Sequence, residues 1–117
     1  SCDEIVKYAC EWFNVGHYKL LSPSRKIGHV DIRCIITHEL RNRGATLSDI
    51  GNSLDRGHDT IINLENRYLD RMQAPGEESF KKHALKFAED LNEWEEMIWH
   101  EKKLERRSLR VQRKTFI

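Results

Sequence analysis

Between Phe80 and Ile98 the apolar residues Phe80, Ala84, Phe87, Leu91, Trp94 and Ile98 stand alternately four and three positions apart. An α-helix gathers such residues on one side, whereas a strand would need a repeat of two. Neither Pro nor Gly occurs from Glu77 to Arg113, and as a single helix this stretch would measure about 55 Å at 1.5 Å per residue. So long a helix needs cover. One reading packs its first half back on the preceding residues; the other uses the Phe80–Ile98 seam to form a homo-oligomer. Further along, Glu101 and Glu105 interrupt the stripe, and Met97, Leu104 and Val111 shift it to another face.

The residues before this seam also read as helices. Ile5, Ala9 and Trp12 fall at helical spacing from Asp3 to Phe13, and Asp3 and Glu4 suit the positive end of a helix dipole. Asn14-Val15-Gly16 ends that helix, with Gly16 expected to take the left-handed exit conformation. A short amphipathic piece, His17 to Leu21, precedes a loop from Ser22 to Lys26. Ile32, Ile35, Ile36 and Leu40 then form one buried stripe from about His29 to Asn42, with Arg33, Thr37 and Arg41 on another face. Gly44 marks the exit. Thr46-Leu47-Ser48-Asp49 has the spacing of a capping box, opening a short helix that turns Leu47, Ile50 and Leu54 inward. Gly51 in its middle costs about 1 kcal/mol against Ala, tolerable where two backbones cross closely. After a tight turn, a longer helix from His58 to about Arg71 turns Ile61, Leu64 and Tyr68 inward. Short helix, turn and longer helix make a helix-turn-helix.

Composition limits what surrounds these elements. With 38% apolar and 33% charged residues, one modest core is expected, and the chain divides into residues 1–72 and 73–117, the second being the long helix with a basic end. No run of eighteen apolar residues occurs, which argues against a membrane span. The opening residues do not resemble a secretory signal, so a cytoplasmic site is expected. Cys2, Cys10 and Cys34 lack metal-ligand spacing and read as reduced thiols. The six histidines lack zinc-ligand spacing, and no nucleophile with a base and orienter is evident. No metal, cofactor, nucleotide or catalytic residue is assigned. The net charge is only +1, but it averages basic groups at Arg25-Lys26, Arg41–Arg43 and Lys102–Lys114 with acidic ones from Glu89 to Glu96.

The order and spacing of residues 3–70 resemble the C-terminal DNA-binding domain of the bacterial replication initiator DnaA. The resemblance lies in the opening helix with Phe13-Asn14-Val15, and in Leu20-Leu21-Ser22-Pro23-Ser24-Arg25-Lys26, similar to that family's basic loop. It continues through Ile35-Ile36-Thr37-His38-Glu39-Leu40 and Leu47-Ser48-Asp49-Ile50-Gly51. It ends with Asp55-Arg56-Gly57-His58-Asp59-Thr60-Ile61, in the place of the signature Gly-Arg-Asp-His-Thr-Thr-Val. The family's ATPase region has no counterpart here.

The resemblance implies an all-α fold: a small helical domain with a helix-turn-helix of the Trp-repressor and DnaA-domain kind, followed by the long C-terminal helix. It implies double-stranded DNA as partner, in replication initiation or transcriptional control. By position, Arg25 and Lys26 would reach a minor groove, where narrow width favours a guanidinium. Arg56 would meet phosphate or a base edge, and His58 and Thr60 would meet bases in the major groove. His29, Thr46, Leu47, Gly57 and Asp59 complete the expected DNA face, with a phosphate held by the free N–H groups opening the Thr46 helix. Gly57 and Asp59 replace Asp and Thr of the signature, and Val30 and Asp31 stand where the family has Arg and Gln. These departures imply a DNA site other than the family's usual box, or weaker binding. They also leave a second reading: an assembly or adaptor protein, such as a viral genome-packaging subunit, that uses the fold to bind protein.

Overall fold

A computed structural model describes residues 1–24 and 27–115, with side chains described through residue 109 except that of residue 27. The described residues form helices and no strands: α1 (Cys2–Phe13), α2 (His17–Leu21), α3 (Ile27–Asn42), α4 (Leu47–Leu54), α5 (His58–Gln73) and α6 (Glu78–Thr115). Two compact units are distinguished, Ser1–Phe87 and Ala88–Ile117. None of the helices is long and apolar enough to cross a membrane.

In the first unit α3 occupies the centre, packed against α1, α2, α4 and α5. That position explains why burial runs without a break from Ile32 to Thr37 instead of following one stripe. Arg33 and Thr37, on another face than the apolar stripe, are also buried, 3% and 0% exposed. A helix surrounded on several sides cannot keep a polar face: Arg33 finds backbone partners inside, whereas the Thr37 hydroxyl is buried without a hydrogen bond.

The helix ends follow local chemistry. Ser1 caps α1, its hydroxyl accepting from the Glu4 N–H at 3.4 Å. Asn14 takes the left-handed exit (φ 54°) and Gly16 does not; Gly16 instead precedes α2 in an extended conformation. Asn tolerates this region because its short side chain bonds locally. Gly44 leaves α3 at φ 84°, as the sequence suggests. Gly51 stands where a Cβ would lie 2.5 Å from the Arg56 carbonyl oxygen. The close crossing inferred for it is this contact with the turn after α4.

The unit does not stop at the break around Pro75. Phe80, Ala84 and Phe87, on the first turns of α6, are buried. The Phe87 ring meets Trp12 at 5.4 Å and Phe13 at 5.2 Å, and Phe80 lies edge-on to Tyr68 at 5.8 Å. The first half of the heptad seam therefore belongs to the core, and the boundary falls after Phe87 instead of after residue 72. Aromatic burial of this kind contributes about 0.5–1.5 kcal/mol per ring pair beyond area, which draws these turns inward. Farther along α6, Leu91 is buried and Trp94 and Ile98 are half-buried.

Candidate nucleic-acid interface

The α4–turn–α5 corner is fixed at three points. Thr46 and Asp49 form a reciprocal capping box: the Thr46 hydroxyl accepts from the Asp49 N–H at 3.1 Å, and the Asp49 carboxylate accepts from the Thr46 N–H at 3.2 Å. Asp55 ends α4 in the left-handed conformation, and the Arg56 N–H donates to the Gly51 carbonyl at 2.9 Å. The Ser48 hydroxyl and His58 Nε2 lie 2.9 Å apart, joining the first turn of α4 to the first residue of α5.

The two helix starts then differ. At α4 the cap occupies the Thr46 and Asp49 N–H groups, two of the donors expected to hold a phosphate, and the Asp49 carboxylate would repel one. Thr46 and Leu47 are thus better placed to shape the corner than to bind an anion through free N–H groups. At α5 the cap residue is Gly57, which offers no side-chain acceptor. His58, Asp59 and Thr60 follow on the surface. Ile61, Leu64 and Tyr68 point inward as the sequence predicts, so the face opposite them carries Ile62, Asn63, Asn66 and Arg67, all exposed. The sequence motifs do not single out these outward residues, although subtracting the inward stripe from the helical period would find them.

A second group gathers around the segment from Lys19 to Ser24. Arg33 donates to the carbonyls of Leu20 (2.7 Å), Ser24 (2.7 Å), Ser22 (2.9 Å) and Lys19 (3.2 Å). Arg56 reaches the same segment from the opposite element, donating to the carbonyls of Leu21 (2.8 Å) and Ser22 as well as to Leu54 and Asp55. Its guanidinium is therefore committed to backbone carbonyls, which changes the role expected for it from DNA contact to fastening. His29 Nδ1 lies 3.0 Å from the Ser24 hydroxyl. Burial, and then the neighbouring Arg56 charge, lower the pKa of Arg33; a guanidinium nevertheless stays protonated. Two cations on one short segment make its surroundings positive just before Arg25 and Lys26, which lie outside the described residues.

Elsewhere three arginines are matched by acids. Arg41 pairs with Glu65 at 3.3 Å and Arg43 with Glu39 at 2.7 Å. Arg71 pairs with Glu77 at 2.7 Å and also with Asp31, and its guanidinium lies 4.0 Å from the centre of the Phe80 ring. Asp31, which counts against DNA as an acid in a basic position, is therefore part of an ion pair. The Arg41–Arg43 cluster, a basic patch in the sequence, is neutralised.

Comparison of the chain with family models, with curated proteins and with solved structures gave no match.

Proposed function

We propose that this chain is a double-stranded-DNA-binding protein in which the first turns of α5 enter the major groove and the Ser24–Lys26 segment follows the adjacent minor groove. The observation that supports this best is the asymmetry of the corner. α5 begins without a cap and carries His58, Asp59, Thr60 and Asn63 outward, while Arg33 and Arg56 tie the segment leading to Arg25 and Lys26 beside it. Free N–H groups at the start of α5 suit a phosphate. Asn63 and Asn66 have the amide geometry that pairs with adenine, and Asp59 can accept from a cytosine amino group. In this reading the protein serves replication initiation or transcriptional control in a bacterial cytoplasm, in keeping with the DnaA-like order of its sequence.

A second reading is favoured by one observation: Arg41, Arg43 and Arg71, basic positions of the first unit, are all engaged by carboxylates. An assembly or adaptor protein, such as a packaging subunit, would use the same helices against another protein.

Selection of bound duplexes from a random pool separates the two. DNA binding predicts a defined motif, with log affinity falling linearly against log salt. His58→Ala and Asn63→Ala should each relax selection at one position and weaken binding by about 1–3 kcal/mol; Asn63→Ala should leave Tm unchanged, whereas His58→Ala also loses its Ser48 partner and should lower Tm slightly. Arg25→Ala with Lys26→Ala should weaken all sequences alike and flatten the salt slope by about one for each phosphate that is no longer neutralised. Arg56→Ala would lose stability as well, given its carbonyl partners. Absence of any enriched motif gives the protein-binding reading the ground.

A further inference from the structure

We infer that the second unit is a dimerisation element in which α6 pairs with α6 of another copy in antiparallel orientation. Met97, Trp99, Leu104 and Leu109 are exposed by 61%, 58%, 63% and 54%, and they lie on more than one face of the helix. Met97 and Leu104 are seven residues apart and share one face. This is not the Phe80–Ile98 seam, whose first half is already used within the first unit.

Charge fixes both the occupant and its direction. From Ala88 to Glu96 the chain carries five acidic residues and no basic one; from Lys102 to Lys114 it carries seven basic residues and one acidic. Within one helix these blocks lie end to end and do not face each other. A parallel second copy would set acid beside acid and base beside base. An antiparallel copy, centred between Met97 and Leu104, lays each acidic block along a basic one. It also places Met97 opposite Leu104 of the partner subunit. The same helix thus supplies both halves of a complementary surface, as a two-fold interface requires. The apolar seam is thin, so the pairing is weak and depends on salt, because exposed charges are screened once the Debye length falls below their separation. It stands independently of DNA binding.

Sedimentation equilibrium of the full chain tests it. The expected result is a monomer–dimer equilibrium that shifts to monomer in high salt. Glu93→Lys with Glu95→Lys and Glu96→Lys should abolish the dimer, and so should Lys102→Glu with Lys103→Glu and Arg106→Glu. An equimolar mixture of these two variants should restore it. All six positions lie outside the first unit, and circular dichroism checks that helix content is kept. Orientation is read from oxidation of Met97→Cys and Leu104→Cys variants, with the parent chain as control for its own thiols. A mixture that crosslinks more readily than either variant alone supports the antiparallel pair. A chain that is monomeric at every concentration, or Met97→Cys crosslinking best to itself, overturns it.

Discussion

The two helices of the corner begin in opposite ways although only a few residues separate them. α4 is partly closed on itself: Thr46 and Asp49 satisfy each other's backbone donors, so fewer are left over for a ligand. α5 starts on Gly57, with no side chain to close it and an exposed polar turn behind. A helix that only supports can be sealed; a helix that meets a partner gains from donors left open, at some loss of stability. In the proposed reading the contrast makes α4 the support and α5 the contact, without appeal to any single base-reading residue.

The largest effect that would break the contrast comes from Gly51→Ala. A better helix former is normally worth about 1 kcal/mol, but here the new methyl would meet the Arg56 carbonyl at 2.5 Å. Forced overpacking costs about 1–3 kcal/mol. A net loss in urea-melt stability, with duplex affinity falling alongside, is expected; a net gain would mean the corner yields easily and positions nothing. Next comes Thr46→Ala, which removes the α4 cap and should cost about 1 kcal/mol. If α4 only supports, the salt slope of DNA binding stays the same, since every phosphate keeps its partner; a shallower slope would put a phosphate on α4 after all. The smallest effect is the most discriminating. Gly57→Ser gives α5 the acceptor it lacks and should stabilise by a few tenths of a kcal/mol. Position 57 has an extended backbone and open space around it, so no strain offsets the gain. Tm should rise slightly while duplex affinity drops, because the serine now competes for the same N–H groups. Equal affinity would leave side chains alone as the contact.

Much of this architecture is legible in the chain. Apolar spacing locates six helices, in several cases to within a residue or two, and the capping box at Thr46 is readable from four residues. What escapes has a common cause: it depends on which elements meet. Periodicity puts Arg33 on a face apart from the apolar stripe, and nothing local reveals that α2 and its loop fold over that face and present four carbonyls to it. Arg56 reads as a DNA contact because sequence shows a charge without its partners. Asp31 reads as an isolated acid for the same reason, Arg71 being 40 positions away. Gly16 gives way on finer ground, since Asn14 also tolerates the left-handed region and comes first along the chain. At the candidate interface the sequence names the start of α5 but not Asn63 or Asn66, which become visible only once the buried stripe of that helix is fixed.

Cys34 illustrates what central placement of α3 does to chemistry as well as to shape. Its thiol is fully buried, and burial pushes its pKa up to about 11, so near neutral pH it is both out of reach and almost entirely in the unreactive protonated form. Cys2, at the edge of the same unit, is only partly covered. An alkylating reagent added to the native protein should therefore mark Cys2 within minutes while sparing Cys34. The rate at which label arrives at Cys34 then reports how often the helices around α3 come apart, a clock already wired into the chain.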